Sequence, residues 1–174
     1  MNLQFGEKYE KLRADVRAFC NESWPPRGDE ATLSERAQAI AWRKRAMAAG
    51  YLHRTIPQQY GGAGLEPDVM ADLVIREEFD RAGVPHVGSV QGTHMLVPTL
   101  LECGTEEQRQ EYIQRTLTGE ITWCQGYSEP GAGSDLASLQ SRAELDGDEW
   151  VLTGQKIWTS QATEADMMFG LFRT

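Results

Sequence analysis

The chain has 174 residues, a formal charge of −9, 40% hydrophobic side chains and 25% charged ones. That length fits one ordinary domain, or one domain and part of a second, and needs no cross-links to hold a core. The acidic surplus repels a phosphate backbone and argues against a nucleic-acid partner, and no apolar run approaches the ~20 residues that span a bilayer.

Taken in chain order, Phe5, Tyr9, Leu12, Val16 and Phe19 recur at helical spacing and predict a first helix. Trp24-Pro25-Pro26-Arg27-Gly28 ends it in a loop. Thr32 with Glu35 reads as a capping box opening a second helix, whose face is marked by Leu33, Ala37, Ile40, Ala41 and Ala48 and which closes near Gly50. A glycine-rich loop over residues 57–64 follows. Pro67 reads as a first-turn proline and Asp68 as an acid at the positive helix end. The third helix is expected to bury Val69, Leu73, Val74, Phe79 and Ala82 and to stop at Gly83. Val87, Val90, His94, Val97, Leu100 and Leu101 make another apolar face, bent by Pro98, with Gly104 as its C′ residue. Thr105 with Gln108 is a second capping box, opening a helix that carries Tyr112, Ile113 and Leu117 and closes at Gly119.

The pattern changes near residue 120. Residues 141–145 and 149–152 alternate around Asp146-Gly147, a hairpin signal. Residues 156–160 and 167–172 read as two more strands. The expectation is an α+β chain: an N-terminal all-helical domain over residues 1–120, then part of an antiparallel β-barrel domain over 121–174. Because the last strand would leave an open sheet edge, a truncated β domain is expected. Cys20, Cys103 and Cys124 are odd in number and far apart, which suits a reduced interior. With no basic segment leading into an apolar run at the N-terminus, the reading is cytoplasmic.

The densest chemistry lies between Trp123 and Ser138. Gly131 and Gly133 fit the start of a dinucleotide fingerprint, but Leu136 occupies the third glycine position and no β-α-β unit surrounds it. No P-loop, zinc motif or serine-hydrolase elbow is present. His94, on an apolar helical face, reads as a core or loop-facing histidine. What remains is a stretch where Gly131, Ala132 and Gly133 admit a ligand close to the backbone, and where successive N–H groups suit an anion. Ser128 and Ser134 supply hydroxyls. Trp158 adds a flat face, flanked by Thr159 and Ser160. Two such segments separated by a hairpin suit a flat polar heterocycle.

Gln125-Gly126-Tyr127-Ser128-Glu129-Pro130-Gly131-Ala132-Gly133-Ser134-Asp135, followed by Thr153-Gly154-Gln155-Lys156-Ile157-Trp158, resembles the acyl-CoA dehydrogenase family. The Tyr60-Gly61-Gly62 loop is a weaker match. The resemblance implies a helical domain, a middle β domain and a C-terminal helical domain, with FAD between the last two. It implies that Gln125, Tyr127, Ser128, Gly133 and Ser134 lie along the flavin, that Ser134 also touches the acyl-CoA substrate, and that Trp158 stacks near the isoalloxazine with Thr159 beside it and Ser160 close to its N5. Where many members have Trp-Ile-Thr, this chain has Trp158-Thr159-Ser160. Val90, Met95 and Leu96 are candidates for the acyl cavity. The implied reaction is α,β-dehydrogenation of an acyl-CoA thioester: a carboxylate takes the α proton, the flavin takes the β hydride, and the thioester carbonyl is polarised. An electron-transfer flavoprotein would reoxidise the flavin, and homo- or hetero-oligomers are expected. The family's base belongs to its C-terminal domain, and none of Glu78, Glu129 and Glu164 matches it. No catalytic residue is therefore assigned, and the chain alone is expected to bind FAD weakly and to show little activity. Two alternatives stand beside this: an inactive partner subunit with a structural or regulatory role, and an oxygen-reacting acyl-CoA oxidase relative.

Overall fold

The computed structural model describes residues 6–85 and 90–174. Phe5 and Val87, assigned above to apolar helical faces, lie outside them. Five α-helices come first among the described residues: α1 (Glu7–Ser23), α2 (Glu35–Ala48), α3 (Val69–Ala82), α4 (Val97–Cys103) and α5 (Glu106–Thr118). Four strands follow: β1 (Trp123–Gly126), β2 (Arg142–Asp146), β3 (Glu149–Thr153) and β4 (Met167–Gly170). This is the α+β order read from the sequence.

Two buried clusters hold the helices. In one, Val16 and Cys20 of α1 meet Trp42 and Ala46 of α2 and Ile75 and Phe79 of α3. Trp42 and Phe79 pack edge to face, with ring centroids 5.0 Å apart, and the Trp42 indole N–H donates to Ser23 Oγ at 3.1 Å. Burying each large apolar side chain stabilises by roughly 1.5–3 kcal/mol. The second cluster joins Leu96, Val97 and Leu100 to Ile113 and Leu117 of α5, and runs on through Ile121 to Trp123 of β1. The Trp123 indole donates to Thr116 Oγ1 at 2.9 Å. The first strand is thus rooted in the helical core, and this sets where the following loop begins.

Several local readings change. The N-cap of α2 is Ser34, which accepts from the Ala37 amide; Thr32 instead ends a short 3-10 turn over Gly28–Thr32. The buried face of α2 is Ala39, Trp42, Arg43, Ala46 and Met47, and Leu33 and Ala48 are exposed. Asp68 is the N-cap of α3, so Pro67 precedes the helix, and Val69 points into solvent at 79% exposure. Before Pro98 the chain makes a π-turn over Gly92–Leu96, with the Val97 amide donating to the Gly92 carbonyl. Proline cannot donate, and the wide turn takes up the break ahead of it. His94 is exposed there, not in the core. Gly104 has φ −72° and is no left-handed cap; a Cβ on it would meet the Leu100 carbonyl at 2.7 Å. Its requirement is for closeness, not conformation.

The capping box of α5 is present in both directions: Gln108 N donates to Thr105 Oγ1 at 3.3 Å, and Thr105 N to Gln108 Oε1 at 2.9 Å. Thr105→Ala is expected to lower unfolding free energy by about 1 kcal/mol, measured by urea denaturation.

β2 and β3 form the antiparallel hairpin, with Arg142 opposite Thr153 and Asp146 opposite Glu149. β1 pairs in parallel with β4, Trp123 opposite Met167 and Gly126 opposite Gly170. Arg173 then bridges back to Arg142. Residues 156–160 are not a strand. Trp158 has φ +56°, which cannot continue an extended chain.

Candidate functional site

β1 delivers the chain from the helical core to the glycine-rich stretch. Gln125 is half-buried in β1. Tyr127 packs edge to face on Phe169 of β4, centroids 5.7 Å apart. The next residues make a tight turn: Glu129 N donates to Ala132 O at 2.8 Å, and Ala132 N to Glu129 O at 3.1 Å. Pro130 and Gly131 stand at its exposed corner.

Gly131 and Gly133 are informative because the fold does not demand them. Neither has a positive φ, and a Cβ on either would meet nothing within 4 Å. They leave an open face beside Ser134, which is exposed. By contrast, Gly154 has φ +150° and a Cβ there would run into Ser141, so that glycine belongs to the hairpin itself.

The second segment is brought to the first by named bonds. Ile157 N donates to Ser128 O at 2.9 Å. Lys156 Nζ donates to Tyr127 O at 3.2 Å and to Glu129 Oε1 at 2.8 Å, and it also lies over the Phe172 ring. Glu129 further accepts from the backbone amides of Gln140 and Ser141. The side chains of Lys156 and Glu129 are only 8% and 6% exposed. The Lys156 hydrogen bond, followed by those from the backbone, holds the Glu129 carboxyl down at about 2. This pair was not singled out from the sequence. Its signal was one acid, Glu129, among uncharged residues from 123 to 134, and Lys156 as the lone charge of Thr153 to Trp158.

Beyond the clamp, the chain leaves Trp158 in solvent, 85% exposed. Ser160 is exposed and Thr159 half-buried; Ser160 N donates to Trp158 O at 3.1 Å. The structure therefore joins the segments carrying Tyr127, Ser128 and Trp158 and leaves the Ser134 and Ser160 hydroxyls open to solvent. Of the acyl-cavity candidates, Val90 lines a cavity among the helices, Met95 is partly exposed, and Leu96 is buried in the helical core.

A family model described as acyl-CoA dehydrogenase, N-terminal domain, matches residues 6–120, and one described as acyl-CoA dehydrogenase, middle domain, matches residues 124–174. The chain belongs to the acyl-CoA dehydrogenase family. Within that family it is similar to acyl-CoA dehydrogenase IpdE1 of Mycobacterium tuberculosis, 41% identical over 95% of this chain and 41% of that protein. The ChsE4-ChsE5 complex from the same organism is a structural neighbour, with TM-score 0.69 and 33% identity, covering 100% of this chain and 44% of that one. An acyl-CoA dehydrogenase complexed with FAD from Bacillus anthracis aligns with TM-score 0.58 and 28% identity, over 97% of this chain and 29% of that one. The chain spans about two fifths of the length of the curated relatives it matches first. Among the described residues no helix is long and apolar enough to cross a membrane, and no group of His, Cys, Asp or Glu could hold a metal ion.

Proposed function

We propose that residues 121–174, the beginning of a middle β domain, supply one wall of an FAD site, and that the protein acts in α,β-dehydrogenation of an acyl-CoA thioester. Trp158 carries this reading. A tryptophan at φ +56° that is 85% exposed costs about 1 kcal/mol or more in backbone strain and gains almost nothing from burial. Such an arrangement suits a flat ring system that stacks on the indole. The residues present fit FAD: an aromatic face, hydroxyls from Ser128, Ser134, Thr159 and Ser160, and a turn whose two glycines stand clear of any neighbour.

FAD, when bound, supplies the hydride acceptor. The chain's own residues position it. Gln125, Tyr127 and Ser128 present backbone along the first segment, Gly133 keeps that face clear, and Ser134 and Ser160 offer donors. Ser134 also serves the acyl-CoA substrate. Neither of the two buried carboxylates among the described residues is free to act as the base: Glu78 is enclosed by three arginines and Glu129 is held by Lys156. An electron-transfer flavoprotein and a second subunit complete the set of partners, and the ChsE4-ChsE5 neighbour supports the latter.

Titrating the chain with FAD tests the reading by flavin fluorescence. Saturable quenching is expected, with affinity about tenfold weaker in Trp158→Ala. Absence of any titratable flavin in the wild-type chain would overturn it.

A further inference from the structure

A cavity of about 690 Å³ lies among α2, the loop after it, α3 and the π-turn segment. Its charge runs against that of the chain. The protein carries −9 overall, yet the described lining holds three guanidinium groups, Arg43, Arg54 and Arg76, against one carboxylate, Asp72: three minus one, a surplus of two positive charges. Asp72 is already bonded to Arg54 at 2.9 Å.

Arg43 is the unusual member. It is 6% exposed and pairs with no carboxylate among the described residues. Its Nε and Nη2 donate to the Leu117 carbonyl at 3.0 and 2.7 Å, and Nη2 lies 3.2 Å from His53 Nε2. Leu117 is in the last turn of α5, so the guanidinium meets the negative end of a helix, worth roughly half a charge. The rest of its charge is unmatched. Burial draws Arg43 down to about 10, which leaves it protonated at neutral pH. His53 beside it is pushed down to about 4, by burial first and by the Arg43 charge second, so it is neutral and adds no competing cation. Buried cations without a counter-ion are rare because desolvation is costly. Here the cavity beside Arg43 has room for an anion and is walled on its apolar side by Trp42, Phe79 and Val90.

We propose that this cavity receives the far end of the acyl chain and selects substrates that end in a carboxylate, which Arg43 reads. The inference rests on the acyl-CoA reading for its ligand, and it adds a substrate class. The apolar walls take the methylene run, and the guanidinium surplus takes the terminal anion through charge-assisted hydrogen bonds.

The test compares two small thioesters by isothermal titration of the full chain: the N-acetylcysteamine monothioester of suberic acid and that of octanoic acid. The suberyl compound is expected to bind about tenfold tighter or more. Arg43→Met should erase the ratio. Since Arg43 also holds α5, a second variant guards against a folding defect: Val90→Trp, at a position 64% exposed, fills the cavity and should abolish tight suberyl binding while the circular dichroism stays wild-type. Equal affinities in the wild type, binding of neither compound, or a preference that survives in both variants overturns the proposal. The flavin reading fails separately. A suberyl preference without titratable FAD keeps the cavity and removes the flavin site, whereas FAD binding without the preference does the reverse.

Discussion

Glu78→Gln is expected to lower the unfolding free energy by about 3 kcal/mol. The Glu78 side chain is 2% exposed, yet its carboxylate accepts from three arginines on two helices. Arg17 of α1 forms two bonds to it, at 2.9 and 2.8 Å. Arg13, also on α1, reaches it at 3.2 Å and Arg81 of α3 at 2.7 Å. Losing the carboxylate leaves a cluster of cations with nothing to hold it, and unpins α1 from α3. The partners are 19% to 50% exposed, so they can turn to solvent, which keeps the cost at the low end for a buried pair. The Arg17 hydrogen bonds, then those of Arg81 and Arg13, hold the carboxyl at about 2, from an ordinary 4.5. A carboxyl depressed in the folded state stabilises above its unfolded value and loses that contribution as the group protonates. Wild-type stability should therefore fall between pH 4.5 and 2, and the Glu78→Gln curve should be flatter there. Urea unfolding followed by circular dichroism at neutral pH and at pH near 3 reads both effects. An unchanged midpoint in the variant would show that the arginines, not the carboxylate, hold the helices.

Glu78 also marks a limit of pattern reading. Hydrophobic periodicity finds α1 because Leu12, Val16 and Phe19 are partly or fully buried where spacing puts them. It finds α5 because Thr105 and Gln108 are local signals that need no tertiary context. It misplaces the face of α2, because two of the buried residues there are Trp42 and the charged Arg43. A charged residue counts as solvent-facing until a partner is known, and Leu117, which Arg43 meets, and Arg17, which Glu78 meets, lie 74 and 61 residues away. The stretch around Trp158 fails for a related reason. Its alternating residues resemble a strand, but the Glu129 clamp and a left-handed residue override that preference. The two segments of the candidate site were legible as motifs. What joins them was not, since it depends on Lys156 reaching back 27 residues to Glu129.

Breaking that clamp should show how far the candidate site depends on it. In Glu129→Gln the flavin affinity of the chain is expected to fall about tenfold to a hundredfold, because the residues facing the ligand lose the support that sets their spacing. Glu129 fixes three things at once: Lys156 through its charge, and the amides of Gln140 and Ser141 by direct acceptance. Lys156 in turn donates to the Tyr127 carbonyl, next to the Ser128 carbonyl that takes Ile157 N. A neutral amide at residue 129 keeps the shape but loses the ion pair and turns one acceptor into a donor. Residues 153–160 would then detach from the 127–129 segment, and Trp158 would lose its place. Amide exchange of Ile157 should quicken in the variant, while Ile113 and Leu117 in the helical core keep wild-type protection. Lys156→Met should give the same two results, and the double variant should be little worse than either single one, since both remove one interaction. Fully additive losses, or wild-type flavin affinity with fast Ile157 exchange, would mean that Trp158 is held by something other than the Glu129–Lys156 pair.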